Sequence, residues 1–182
     1  MMFTNHRINK IMDASEGEFL KEAEKKRKRV YSDKNNGDIR SNGIKEAQKT
    51  LLSLSAYNDK ILKAVFDVVK PEDFQEGVYR RLAENIYMDS MEGRKSEPAD
   101  MVSRFETLEE QNTAAAVFAV KNKISDMNKL EKFLTENVRL LKKSRIDGLL
   151  AEAGTAEEIK SLIDLKRKTD ELNITIADSK QY

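Results

Sequence analysis

The sequence predicts an all-α protein: a compact bundle of short helices, followed by a long helix and a C-terminal antiparallel helical hairpin. Three observations lead to this prediction. Charged residues make up 36% of the chain and aromatic residues only 7%, and the abundant Lys, Glu, Leu and Ala lose little side-chain freedom in a helix. Proline occurs twice and glycine seven times in 182 residues. From Ile44 onward, apolar residues recur at the spacing of a helix face.

The first 43 residues are predicted to contain one short helix and a linker. Ser15 and Glu18 have capping-box spacing, so we predict a helix over residues 16–30 within an N-terminal segment 1–30. The following segment, residues 31–43, is polar and contains two Asn-Gly steps. Such a composition favours a flexible linker.

Residues 44–126 are predicted to form the bundle. Asn58 is placed to cap its second helix, and Pro71 cannot extend that helix, so the chain turns there. Pro98 begins a later short helix, and the Thr107–Glu110 pair has capping-box spacing before another. The apolar positions that define the third helix are Phe74, Val78, Leu82, Ala83, Ile86 and Tyr87.

Residues 127–182 are predicted to hold a long helix of roughly 25 residues and the hairpin. The break Ala153–Thr155 is so short that the two helices must lie antiparallel, and its threonine forms a capping box with Glu158. A lone helix pair buries one face of each helix, so apolar surface should remain for a partner. Ser144 and Gly148 are expected to interrupt the long helix and to let the hairpin swing.

Composition disfavours several classes of function. The chain has 33 basic and 32 acidic residues, a net charge of +1, whereas a phosphate-binding protein usually carries a basic excess. Cysteine is absent, and His6 is the single histidine. With no phosphate loop or catalytic triad spacing either, we expect no catalytic residue, no metal site and no cofactor. No apolar run approaches membrane-spanning length, which predicts no membrane partner and a cytoplasmic location.

Residues 47–86, AQKTLLSLSAYNDKILKAVFDVVKPEDFQEGVYRRLAENI, resemble the start of the helicase-binding domain at the C-terminus of bacterial DNA primase. Pro71 and Phe74 stand in the x-Pro-x-x-Phe turn of that family, and Tyr79 and Arg80 match the pair that starts its next helix. The likeness covers roughly residues 44 to 174. It continues through Glu92-Gly93, the short helix from Pro98 to Phe105, and the final hairpin.

The resemblance implies a non-catalytic protein–protein interaction module. In the family, this domain tethers primase to the N-terminal domains of the hexameric replicative DNA helicase and modulates priming and unwinding at the fork. The parent protein would be a primase with its polymerising domain upstream, and residues 1–30 would be a remnant of that domain. Nucleic acid would be contacted only indirectly, through the full-length primase, within the bacterial replisome.

The resemblance also makes the hairpin the main docking element. We expect its last helix to supply apolar anchors in the centre of the interface and charged residues around them. The predicted apolar anchors are Leu162, Leu165, Leu172 and Ile174, and the predicted charged residues are Lys166, Arg167, Lys168 and Asp170.

Two alternatives stay open. The N-terminal domain of the replicative helicase itself has a similar x-Pro-x-x-Phe turn, although the final helix segment TAEEIKSLIDLKRKTDEL fits primase better. A helical nucleic-acid-binding domain could instead use the basic run Lys25–Arg29 and the segment Leu141–Arg145. Binding of that kind would weaken steeply with salt.

Overall fold

The computed structural model describes residues 40–95, 97–120 and 124–176. The chain divides into two compact units, Met1–Asn42 and Gly43–Tyr182, and the described residues lie almost entirely in the second. The fold is all-α, as the sequence predicted, and the described ranges contain no strand. The predicted helix over residues 16–30 lies outside the described residues.

The helices follow one another with short connections. The one 3₁₀ turn among the described residues, Pro71–Asp73, lies between the second and third α-helices. The α-helices of the described chain are α1 (residues 40–57), α2 (Asp59–Phe66), α3 (Val78–Met91), α4 (Pro98–Ser103), α5 (Leu108–Phe118), α6 (Met127–Glu152) and α7 (Ala156–Glu171).

Helix starts are fixed by the side chains that the sequence marked. The Asn58 side chain accepts hydrogen bonds from the N–H groups of Lys60 and Ile61, at 3.0 and 3.3 Å. Thr107 and Thr155 each form a complete capping box at the start of α5 and α7. These contacts satisfy backbone donors that have no partner within the first turn of a helix. All three predicted caps are confirmed.

The core lies between helices α1 to α5 and the first half of α6. Its contiguous cluster of buried side chains includes Leu51, Val65, Leu82 and Leu134. Three aromatic rings extend it: Phe66 stacks on Phe74 and on Tyr87, with ring centroids 6.4 and 5.7 Å apart. Buried clusters of this kind supply most of the stability of a helical domain.

The turn at Pro71 is held by polar contacts on both sides. The Asp73 carboxylate accepts from the Lys70 N–H at 2.9 Å, and the buried Gln48 side chain accepts from the Gln75 N–H at 2.7 Å. Phe74 precedes α3, which begins at Val78, so the prediction that Phe74 belongs to the third helix is wrong. Its ring reaches the core from the turn because proline ends the preceding helical path.

The predicted linker extends too far toward the C-terminus. Residues 40–43 are helical and belong to α1, although they contain the second Asn-Gly step. Ile44 and Ala47 are buried, and tertiary packing of these side chains favours extending the helix over a turn at residues 42 and 43. Most of the predicted linker, residues 31–39, lies outside the described residues.

The long helix α6 is continuous through Ser144 and Gly148, so the expected interruption there is absent. Leu141 and Ile146 of this stretch are buried, and their packing favours the helical path there. Its first half belongs to the core of the bundle, so the predicted boundary between residues 126 and 127 does not separate two cores. None of the helices in the described ranges combines the length and apolarity needed to cross a bilayer.

Candidate partner-binding surface

The helices α6 and α7 form the antiparallel hairpin. Two ion pairs cross between them, Lys143 with Asp170 and Asp147 with Lys166. The later residue of α6 pairs with the earlier residue of α7. Both partners therefore approach the connecting loop together, as in an antiparallel pair. The three-residue connection after Glu152 ends at the α7 capping box, where the Glu158 carboxylate accepts from two loop N–H groups at 3.1 and 3.2 Å.

The Lys143–Asp170 pair sets the electrostatics at the C-terminal end of α7. A hydrogen bond from Lys143 lowers the pKa of the Asp170 carboxyl, and the nearby positive charges of Arg139 and Lys166 act in the same direction. Asp170 is therefore ionised at neutral pH, and its carboxylate binds Lys143 of α6.

One face of α7 lies against α6. Thr169 is buried there and Leu162 is half-buried, whereas the remaining large apolar side chains of α7 face outward. Ile159 is 40% exposed, Ile163 53% and Leu165 49%. Each helical residue turns about 100°, so Ile163 and Leu165 point about 160° apart, one on each flank of the α6–α7 seam. Apolar side chains are therefore exposed on both flanks.

The flank that carries Leu165 also holds a groove between the two helices. This groove has a volume of about 360 Å³ and contains apolar side chains from both helices with acidic and hydroxyl groups beside them. Its lining residues are Leu149, Glu152, Ala153, Glu158, Ser161 and Leu162. A groove of this shape and chemistry can take one apolar side chain of a partner protein.

Two predicted apolar anchors are not on this surface. Ile174 is only 4% exposed, and its N–H is bound by the Thr135 hydroxyl at 2.9 Å. Leu172 is half-buried against the core, and its carbonyl accepts from Arg139 Nε at 2.9 Å. The prediction that Ile174 is an exposed anchor is wrong, because the chain leaves α7 and returns to the core instead of continuing into solvent.

The predicted charged residues divide into two groups. Lys166 and Asp170 form the ion pairs that cross from α7 to α6. Arg167 and Lys168 lie on the exposed side of α7, where Arg167 pairs with Asp164 of the same helix at 2.7 Å. Arg167 and Lys168 are thus the two positioned to meet a partner.

Ile159 and Ile163 were missing from the predicted site. They stand four residues apart, so they share one helix face, and that face differs from the one carrying Leu162 and Thr169. The sequence did contain a sign of this surface, because the two isoleucines do not follow the spacing of the residues that face α6. Recognising it required the pairing of α7 with α6.

The residues of the predicted family motif have structural roles. Pro71 begins the 3₁₀ turn, and Phe74 is buried behind it. Tyr79 is half-buried in the first turn of α3 and packs against the core. Arg80 donates through Nη2 to the Phe74 carbonyl at 3.3 Å and pairs with Glu76 at 3.2 Å, which ties α3 to the turn.

Two of the three basic side chains in the segment proposed for nucleic-acid binding are paired with acidic residues. Leu141 is buried, Lys142 pairs with Asp73 at 3.0 Å, and Lys143 pairs with Asp170. Neutralised lysines are poor phosphate ligands, so the geometry of this segment disfavours that alternative. The other basic run, Lys25–Arg29, lies outside the described residues. Within the ranges that the structure covers, no group of three or more His, Cys, Asp or Glu side chains could hold a metal ion.

Comparison with known proteins identifies no relative. No protein-family model, no curated protein and no solved structure matches this chain. The primase family is therefore a prediction from the residue pattern alone.

Proposed function

We propose that this chain is a non-catalytic docking module that attaches a bacterial DNA primase to the N-terminal domains of the hexameric replicative helicase. The observation that carries the proposal is the one-sided packing of α7. Among the described helices α6 is its main packing partner, and three large apolar side chains stand exposed on its two flanks.

The chemistry of this surface suits protein recognition. Exposed apolar side chains on a helix become favourable contacts when a partner excludes water from them, at roughly 25 cal/mol per Å² buried. Ile159, Ile163 and Leu165 would be the central contacts, with Arg167 and Lys168 beside them setting orientation and association rate. We propose that Leu165 and the groove beside it take one apolar side chain of the helicase.

The function needs no reaction in this chain. A tethered primase would act at an effective concentration set by its attachment, on the order of millimolar for a short flexible tether. Priming would then be confined to the single strand that the helicase has just released. The support for this step is the family resemblance of residues 44–174, because the geometry by itself does not specify the partner.

Titration calorimetry of the chain into nuclease-treated helicase, at about 0.15 M and about 0.3 M salt, tests the proposal. Exposed charge pairs are already largely screened at the lower concentration. Docking through apolar anchors should therefore give a saturable isotherm whose dissociation constant changes less than about threefold between the two.

A parallel titration with single-stranded DNA tests the rival class. Binding to phosphates loses affinity steeply over the same salt range, with a slope that reports the number of contacts. A flat trace with helicase from folded chain would refute the proposal. That flat trace together with salt-sensitive binding to DNA would favour the hypothesis of a nucleic-acid-binding domain instead.

A further inference from the structure

The five residues after α7 form a strap that returns along α6. Leu172 has extended backbone angles (φ −66°, ψ 132°). Ile174 and Ile176 are buried in the core cluster, whereas Asn173 and Thr175 are exposed. This alternation is typical of an extended chain with one face against the protein. We call residues 172–176 the strap.

Three side chains of α6 bind the backbone of the strap. Arg139 Nε donates to the Leu172 carbonyl at 2.9 Å. The Thr135 hydroxyl accepts from the Ile174 N–H at 2.9 Å. One carboxylate oxygen of Glu131 accepts from the Ile176 N–H at 2.7 Å. We call these three α6 side chains the ladder.

The spacing of the ladder matches an extended backbone. Its members stand four residues apart, and four helical residues rise about 6 Å. The two N–H groups bound by Thr135 and Glu131 stand two residues apart, and two extended residues rise about 6.6 Å. The Leu172 carbonyl lies one peptide unit before the Ile174 N–H, and the longer Arg139 side chain reaches it. The helix and the strap therefore stay in register over the two N–H contacts. Side chains on a helix can thus form hydrogen bonds with the backbone groups of an extended segment that has no neighbouring strand.

The strap starts where α7 ends, and the contacts of α7 with α6 bury little of α7 itself. Thr169 is the only buried residue of α7, and the ion pairs to Asp147 and Lys143 involve partly exposed side chains. Exposed ion pairs contribute little to stability. The two buried isoleucines of the strap, by contrast, belong to the main core.

We propose that the ladder is a binding site for the backbone of an extended segment, that the strap is its resident occupant, and that this occupancy holds α7 against α6. Release of the strap would loosen the C-terminal half of α7 while the bundle stays folded. This inference does not depend on the identity of any partner. It concerns how firmly the hairpin is closed.

Amide hydrogen exchange of the full chain, resolved by NMR, tests the proposal with variants that remove the ladder acceptors. The test variant combines Thr135→Val, which keeps the side-chain shape, with Glu131→Met, which keeps the helix propensity. The matched control combines Thr135→Ser with Glu131→Gln, because both replacements retain an acceptor oxygen.

In the test variant we expect exchange at the Ile174 and Ile176 amides to accelerate at least tenfold. Exchange in the last two turns of α7 should accelerate at least threefold, while protected amides of α2 and α3 stay unchanged. The control should match the wild type. If circular dichroism shows that the double variant has lost its helices, Thr135→Val alone is tested, and its readouts are exchange at the Ile174 amide and in the last two turns of α7.

Two results would overturn the inference. Unchanged exchange at both isoleucine amides would mean that the ladder does not bind the strap. Faster exchange in the strap with unchanged exchange in α7 would mean that the strap does not hold the helix.

Discussion

Replacing Ile174 by alanine tests whether the segment after α7 is part of the core. The side chain is 4% exposed and packs in the main cluster. The change removes three carbon atoms, worth about 0.8 kcal/mol each in transfer free energy, and leaves a cavity that adds to the loss. We expect the free energy of unfolding to fall by about 3 kcal/mol.

Urea unfolding followed by far-ultraviolet circular dichroism measures this change, since the chain has no tryptophan to report by fluorescence. With a slope of about 2 kcal/mol per molar urea, the midpoint should move down by about 1.5 M. The neighbouring Thr175→Ala is the control because Thr175 is exposed, and its effect should stay within about 0.5 kcal/mol. Equal midpoints for Ile174→Ala and Thr175→Ala would refute the burial of the strap.

Three further predictions concern the bundle and the start of α7. Asp89→Asn should lower stability by about 2 kcal/mol, because the carboxylate is 1% exposed and accepts hydrogen bonds from Arg94 and Arg104. Burial raises the pKa of Asp89, but the arginine hydrogen bonds outweigh it and the net pKa is lowered, so wild-type stability should fall as pH drops below about 4, with a smaller fall in Asp89→Asn. Thr155→Ala should cost about 1 kcal/mol and speed amide exchange in the first turn of α7. Gly93→Ala should cost about 1 kcal/mol in urea unfolding because φ there is +68°, and Gly93→Asn should cost less.

The helix starts could be predicted from the sequence because capping is local. A threonine or asparagine and the backbone N–H groups it binds are separated by two or three residues, so the geometry follows from spacing alone. Asn58, Thr107 and Thr155 all cap as expected. The hairpin was also predictable, because the three-residue break leaves no other direction for α7.

The strap and the exposed surface were harder to predict because both depend on contacts between distant residues. Ile174 and Ile176 alternate with polar residues, yet so short a stretch after a helix looks like a polar tail. Leu162 and Leu165 have similar apolar character, and only the pairing with α6 turns Leu162 inward and leaves Leu165 exposed. The same pairing sets the ion pair of Lys166, which its sequence neighbours do not reveal.

The central claim is that the exposed apolar side chains of α7 are the partner-binding surface. The most direct measurement compares two variants in calorimetric titrations into the replicative helicase. The test variant carries Ile159→Ala, Ile163→Ala and Leu165→Ala, and the control carries Met91→Ala and Leu108→Ala, which remove apolar side chains of the bundle that are even more exposed. Alanine preserves helix propensity in both.

The account predicts that the test variant binds helicase at least tenfold more weakly than the wild type, a loss of about 1.4 kcal/mol or more. The control should stay within about twofold of the wild type. Equal affinities for the two variants, with both folded, would contradict the claim that α7 is the docking surface.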